Sequence, residues 1–334
     1  MPESLGRDYR RRQAHNARGK KRLKTWQKVL IGLSIPATLL VAAAIALFAF
    51  MGSFNAKLAL DPAELDKLQQ VLVSPADPQE PYYILVLGSD ARAGELASRS
   101  DTIMLCRVDT EAKHIAILSI PRDTKIELEG YGTQKINAAM AYDGPTGAVE
   151  AVSKFVGVEI AHIMLVNFEG FTDLIDRLGG ITVDVPFYTS LNGIELQPGV
   201  QTLNSEQAMA FARCRKEYAL GDFQRAANQR ALLKAVVKEI MQVPAPELPG
   251  YMSALAECVN TDLTFDQLVD LVLNLEGLNT DADLYSGQVP STTATIDGVS
   301  YVITTEDVWT SVREKYVEGV VPFVDENNQP AVVD

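Results

Sequence analysis

Two aspartates and an arginine, Asp90, Asp101 and Arg122, stand at the ends of three apolar segments, and a second polar group, Arg213, Arg215, Asp222, Arg225 and Gln229, lies far downstream. Arg213 and Arg215 flank Cys214, so in an extended segment both guanidiniums point one way and the thiol the other. Asp222, Arg225 and Gln229 are spaced i, i+3, i+7, which puts them on one helical face near the helix's amino-terminal end. A helix amino terminus carrying an arginine is a good anion site. The planar guanidinium fork suits phosphate because it makes bidentate, charge-assisted hydrogen bonds. Two aspartates without His or Cys suit Mg²⁺, with Mn²⁺ as the alternative, an ion that takes oxygen ligands and completes its shell with water and substrate phosphate. Together these residues describe a pyrophosphate site.

Each piece has a plainer reading when taken alone. Asp90 could cap a turn, Asp101 could open a strand, and a single arginine is most often a surface ion pair. The joint pattern is what points to a site. Gly88-Ser89-Asp90 is followed by neither GxxxxGK[ST] nor GxGxxG, so kinase and ATPase readings lack their phosphate cradle. His15, His114 and His162 are scattered, which leaves a His-rich metal site or a His-based triad without parts. Cys106, Cys214 and Cys258 are an odd set with no C-x-x-C spacing, so neither a disulfide framework nor a zinc site is signalled, although one disulfide stays open.

The elements that would position these residues can be read from pattern. Tyr82 to Leu87, Thr102 to Val108 and His114 to Ile120 have the length and β-branched content of buried strands. Their connections are too short for helical crossovers, which predicts three antiparallel neighbours with Asp90, Asp101 and Arg122 at one end of the sheet. Loops at a sheet edge are where ligand sites are built. Beyond them the pattern predicts a helix over Thr146 to Val156, a strand over Ile160 to Val166, a helix over Phe168 to Leu178 and a strand over Ile181 to Val185. Asn204-Ser-Glu-Gln207 reads as a capping box opening a short helix to about Ala212, and Asp222 as the cap of a longer one to Gln242. Helices near 251 to 258 and 264 to 275, a β-pair around Thr293 to Ile303 and a helix from Thr305 to Glu318 complete the chain. This alternation argues an α/β fold, a layered α-β-α domain with a mixed, largely antiparallel central sheet.

Between Lys28 and Lys57 no charged residue occurs, and Val29 to Phe54 is dominated by Leu, Ile, Val, Ala and Phe. Such a run is long enough, at about 1.5 Å per residue, to cross about 30 Å of hydrocarbon. The 28 residues before it hold ten basic and two acidic side chains, an excess that keeps a tail cytoplasmic and exports the chain beyond the apolar run. A cleavable signal peptide would have a shorter apolar core and a shorter basic lead. Anionic-lipid contact explains the tail more economically than a nucleic-acid arm. The rest of the chain carries 20 basic and 41 acidic residues, so its overall field repels polyanions and any anionic substrate must be held by a local arginine cluster. The expected organisation is a basic cytoplasmic tail at 1–28, a transmembrane anchor at 29–54, a stalk or spacer at 55–80, a catalytic core at 81–242, the remainder of the same extracellular domain at 243–320 and an acidic tail at 321–334.

Six stretches carry a resemblance: LGSDAR (87–92), RSDTIML (99–105), SIPRDT (119–124), KINAAMAYDG (135–144), LNSEQAMAFARCR (203–215) and GDFQRAANQR (221–230). In this order and spacing the chain resembles the LytR-CpsA-Psr (LCP) family across most of 82–242. The resemblance implies a phosphotransferase that moves an anionic glycopolymer, such as a teichoic acid, from a polyprenyl-pyrophosphate carrier to a muramic acid hydroxyl of peptidoglycan. It implies that Asp90 and Asp101 hold Mg²⁺, and that Arg99, Arg122, Arg213, Arg215, Arg225 and Gln229 grip the pyrophosphate, with Asp101, Arg122 and Asp222 catalytic. It also implies an apolar cavity for the isoprenoid tail, for which Phe155, Val156, Phe171, Leu174, Leu232, Leu233, Val236 and Val237 are candidates. Two positions depart from the family pattern: Asn228, where a second arginine is usual, and Asp143, where a glycine is usual. Two other readings stay open, a membrane-anchored binder or regulator of lipid-linked glycan without turnover, and pyrophosphate hydrolysis with water as acceptor.

Overall fold

The computed structural model describes residues 49–77, 79–89, 100–215, 221–244 and 247–324. The expected anchor at 29–54 and the tail before it lie almost wholly outside these, as do Asp90 and Arg99. Among the described residues no helix is long and apolar enough to cross a membrane.

In chain order the first elements are α1 (Pro62–Leu68), β1 (Tyr82–Ser89), β2 (Thr102–Asp109), β3 (His114–Ser119), β4 (Lys125–Leu128), β5 (Gly132–Lys135) and α2 (Ala138–Val156). Then come β6 (His162–Asn167), α3 (Phe168–Leu178), β7 (Ile181–Val185), β8 (Thr189–Leu191), β9 (Ile194–Leu196) and β10 (Gly199–Leu203). The chain continues through α4 (Ser205–Arg213), α5 (Asp222–Ile240), α6 (Leu248–Cys258), β11 (Val259–Thr261), α7 (Phe265–Asn274) and β12 (Leu284–Gln288). A hairpin of β13 (Ser291–Ile296) and β14 (Val299–Thr304) leads to α8 (Glu306–Glu318).

The central sheet has six strands in the order β11-β6-β1-β2-β3-β12. β1, β2 and β3 are antiparallel neighbours, as their short connections require. β6 joins β1, and β12 joins β3, in parallel. The sheet is therefore mixed. Every residue of β2 is buried, as a central strand covered on both faces must be.

Strand periodicity divides the core into two layers. Leu85, Leu87, Ile103, Leu105 and Leu118 face α2 and α8, packing with Val149, Val152, Trp309 and Tyr316. Ile84, Val86, Met104, Cys106 and Ile117 face the other way, towards Leu233 and Val237 of α5, Met241 just beyond it and Leu271 of α7. This corrects one expectation. Phe155 and Val156 belong to the α2 layer, where the Phe155 ring stacks on Trp309 with centroids 5.2 Å apart. They cannot share a cavity wall with Phe171 and Leu233 because the sheet stands between.

A second correction concerns α2. The helix begins eight residues earlier than its apolar pattern suggests and is broken at Asp143 and Gly144, whose φ of 63° is open to glycine but strained for other residues. The restart at Thr146 exposes backbone donors that need partners. Glu64 of α1 supplies them, its Oε1 accepting from Thr146 N at 3.2 Å and Oγ1 at 2.9 Å. The Asp143-Gly144 departure thus sits at a backbone break in the α2 layer.

Glu64 also shows that the segment read as a spacer is part of the domain. Phe54, Leu58, Leu60 and Leu68 are all buried, Leu68 completely. Phe54 meets Phe265 edge-on at 4.8 Å, Asn55 Oδ1 caps the start of α7 by accepting from Phe265 N at 2.8 Å, and Val73 N donates to Ile160 O. The prolines of 55–80, Pro62, Pro75 and Pro78, suggest a spacer, but Pro62 opens the first turn of α1. Replacing Leu68 by Ala should therefore lower the unfolding free energy by about 2–5 kcal/mol in urea titrations, the range for a fully buried leucine. A free-standing spacer would give no change.

Candidate functional site

The site lies at the end of the sheet where β2 begins and β3 ends. Asp101 is placed by its own N–H, which donates to Gly88 O at 2.9 Å. Arg122 sits in a turn closed by Thr124 N to Pro121 O at 2.9 Å, and its carbonyl accepts from Asn137 N at 3.1 Å. Asn137, from the KIN stretch, is thus a strut behind Arg122. A hydrogen bond joins Arg122 Nη1 to Asp101 Oδ1.

α5 brings the remaining charges. Its N-cap is Gly221, with φ at 51°, and no side chain caps the helix. Asp222 is the first helical residue, so the expectation that it caps the helix is corrected. Its carboxylate turns instead to three guanidiniums. Arg122 Nε lies 3.2 Å from Oδ2, Arg225 Nη2 3.3 Å from Oδ2, and Arg215 Nη1 3.4 Å from Oδ1. The Arg122 Nε contact lacks hydrogen-bond alignment, leaving that buried N–H unpaired.

Three guanidiniums thus face Asp101 and Asp222, while the third carboxylate at the cavity, Asp123, is paired with Lys135 at 3.1 Å. Partly exposed ion pairs of this kind contribute about 0–1 kcal/mol each, so the cluster is a poor device for stability. It is a good one for an anion, because excess positive charge is preorganised at low cost once α5 and the Arg122 turn are in place. Burial works against the charge on Arg122, but Asp222 and Asp101 outweigh it and raise its pKa above the usual value. Arg225 is shifted down, chiefly by burial, with Asp222 pulling it up and Arg122 opposing.

One turn further along α5, Gln229 accepts from Thr102 Oγ1 at 2.8 Å and so ties the helix to the first residue of β2. Asn228 is 1% exposed, its Nδ2 donating to Phe211 O and its Oδ1 accepting from Gln224. The departure at Asn228 therefore falls at the seam between α4 and α5.

These side chains line a cavity of about 460 Å³ that includes Asp101, Arg122, Arg215, Asp222, Arg225 and Gln229, and Asn228 is not part of its wall. Of the arginines expected there, Arg213 is exposed at the end of α4 and is not part of this lining, whereas Arg215, two residues on, is. The expected pairing of the two guanidiniums is corrected: Arg213 is still helical and only Arg215 lies in the extended segment, with Cys214 buried between them. Sequence reasoning missed Asp123, Gln288, Thr293 and Ser300, which also line the cavity. Asp123 adjoins Arg122 in sequence, but the other three come from β12 and the β13–β14 hairpin, whose plain polar residues carry no local signal.

Thr102 and Gln229 form a common wall with a second, apolar pocket of about 70 Å³, lined also by Val86, Met104, Phe171, Leu232 and Leu233. Of the residues named for an isoprenoid cavity, Phe171, Leu232 and Leu233 line this pocket. Leu174 and Val236 are buried core residues outside that lining, and Val237 packs with the α5 layer of the core.

The donor set also bears on a metal. Asp101 offers carboxylate oxygen at a cavity wall that carries neither His nor Cys. Among the described residues no group of three or more His, Cys, Asp or Glu side chains could enclose an ion. That chemistry fits Mg²⁺, which binds through one or two carboxylates and keeps water and substrate oxygens in its shell. Asp90, the second expected ligand, is outside the described residues.

The described residues thus form an α/β domain with an arginine cluster at one sheet end and an apolar pocket beside it. The LytR_cpsA_psr family profile matches residues 49–317, and the chain belongs to that family. It is 39% identical over 202 residues to a polyisoprenyl-teichoic acid–peptidoglycan teichoic acid transferase TagU of Halalkalibacterium halodurans, covering 60% of this chain and 66% of that protein, just under two thirds of its length. It is 31% identical over 244 residues to the TagU of Bacillus subtilis, covering 72% and 79%. Among solved structures, that of B. subtilis TagV superposes with a TM-score of 0.66 at 28% identity, covering 73% of this chain and 98% of that one.

Cys106, Cys214 and Cys258 are free and buried, and burial pushes the Cys106 and Cys258 thiols up to about 12. Since the thiolate is the reactive form, Cys106 and Cys258 should not react with a thiol reagent at pH 8 in the folded protein, Cys214 is shielded by burial at 1% exposure, and all three should react after unfolding. A disulfide would leave one.

Proposed function

We propose that this chain is a transferase that moves an anionic glycopolymer of the teichoic acid kind from a polyprenyl-pyrophosphate carrier onto a muramic acid hydroxyl of peptidoglycan. The observation that carries this reading is the set of three guanidiniums gathered round Asp222, with the unpaired Arg122 Nε, beside a pocket of almost wholly apolar character. A pyrophosphate joined to an isoprenoid needs both. The TagU relatives, named for that reaction, support the same assignment.

In this reading the pyrophosphate lies in the cavity against Arg122, Arg215 and Arg225, with Arg99 as a further partner, and the isoprenoid chain starts at Phe171 and Leu233. The acceptor hydroxyl oxygen bonds to the glycan-side phosphorus, and the bridging P–O bond to polyprenyl phosphate breaks. The bond's electron pair leaves with the carrier phosphate, and the hydroxyl proton balances the charge on it. Phosphoryl transfer asks for little covalent work from the protein and depends on positioning and on neutralising charge at the departing oxygen. Arg122 and Arg225 do the neutralising. Asp222, with both oxygens facing guanidiniums, fixes where they point. Mg²⁺, held by Asp101 and Asp90, would supply further charge neutralisation. The basic tail and the apolar run at 29–54 support a domain outside the cell, held at the membrane where the carrier resides.

The test uses full-length protein in detergent with a polyprenyl-pyrophosphate glycan, Mg²⁺ and uncross-linked peptidoglycan, with mass spectrometry for a phosphodiester-linked product. Asp101→Ala should lower transfer on the order of 100-fold or more, and chelation should stop it until Mg²⁺ is restored. Product undiminished in Asp101→Ala would remove that residue from the reaction. Glycan phosphate released without linked product would assign hydrolysis, and binding without any turnover would assign a regulatory role.

A further inference from the structure

The cavity has two chemically distinct sides. Its charges come from Asp101, the Arg122 turn, Arg215 and the start of α5, while Gln288, Thr293 and Ser300 on the β12 and β13–β14 side are neutral. β12 is two strands across from β2, about 10 Å in the hydrogen-bonding direction. The neutral side thus lies about two strand spacings from Asp101 and adjoins the Arg122 turn, where Val302 N of β14 donates to Asp123 O at 2.9 Å.

Gln288 is the built feature of that side. It is 6% exposed and pairs in register with Ser119 of β3. Its Oε1 accepts from Arg230 Nη1 at 3.1 Å, while its Nε2 is buried with no hydrogen-bond partner. Arginine has donors and no acceptor, so Arg230 dictates which end of the amide it meets and leaves the NH₂ facing elsewhere. Arg230 is itself 6% exposed, and burial pushes its pKa down to about 10. A buried cation used to orient one amide, and a buried N–H left unpaired, are both costly arrangements. A ligand in the cavity that Gln288 lines would satisfy the N–H.

We propose that the β12 side of the cavity is a subsite for a neutral sugar ring next to the reacting phosphorus, and that Gln288 donates its amide N–H to an oxygen of that ring. Arg230 is the positioning residue that holds the amide. The proposal rests on the transferase reading for the nature of the substrate. An uncharged donor adds little attraction for phosphate but discriminates strongly in favour of a ring that offers an oxygen there, because a ligand lacking it leaves the buried donor unpaired. The sugar can be the glycopolymer residue attached to the phosphate or the ring of the acceptor glycan. The chemistry is the same for both.

The experiment compares wild type, Q288E and Q288M as full-length proteins. Glutamate keeps an acceptor for Arg230 while removing the cavity donor, and methionine removes the donor without adding charge. Both variants should raise KM for one sugar-bearing substrate about fivefold to tenfold, the effect of one neutral hydrogen bond, and in the uncharged Q288M the inhibition constant of inorganic pyrophosphate should change less than about twofold. A rise confined to the acceptor, with donor hydrolysis intact, places the acceptor ring there; a rise confined to the donor places the glycopolymer ring. Unchanged KM for both substrates would overturn the proposal, as would equal weakening of inorganic pyrophosphate. Lack of turnover by wild type would count against the transferase reading, and calorimetry of an uncross-linked glycan oligosaccharide on wild type and Q288M would then decide the role of Gln288, equal affinities overturning it.

Discussion

Asp222 and the three guanidiniums around it are the interaction that holds the site together. They come from three places: the turn after β3, the segment after α4 and the first turns of α5. Without a shared anion, three such cations would repel one another and swing into solvent, where each would be more favourably hydrated. One carboxylate at the first helical position keeps them within reach of the same ligand oxygens. A local device thus gathers positive charge at one point of a strongly acidic domain.

α5 links that device to the rest of the fold. Its amino-terminal turn carries Asp222 and Arg225, its next turn carries Gln229 against Thr102, and its later turns pack Leu233 and Val237 on the sheet. The same helix therefore forms a wall of the charged cavity and a wall of the apolar pocket. Helix packing on a sheet face sets the distance between the two. The opposite face of the sheet, with α2, α8 and the docked α1, forms a separate core layer that includes Phe155 and Trp309.

Much of this was legible in the chain. The capping box at Asn204 and Gln207 is formed as its spacing predicts, because a cap is settled within one turn. The antiparallel order of β1, β2 and β3 arises from connections too short to do otherwise, and that order brings Asp101 to Arg122. Phe171 and Leu233 could be named as wall residues, but Phe155 could not be told from them, since an apolar helix face reads the same on either side of a sheet. Residues 55–80 looked like a spacer because prolines are visible in sequence. Partners such as Ile160 and Phe265, far along the chain, are not.

Residue type and local spacing settled the chemistry available: the carboxylates, the guanidiniums, the periodicity that makes strands and helices, and an apolar run beside a basic tail. These depend on neighbours within a turn or a hairpin. Long-range packing settled that Arg215 and not Arg213 lines the cavity, that Asp222 organises arginines instead of capping its helix, and that Gln288 stands there with an unpaired amide N–H. Each of these depends on a contact between segments distant in the chain, and the energy of such a contact has no expression in local sequence until the fold closes the distance.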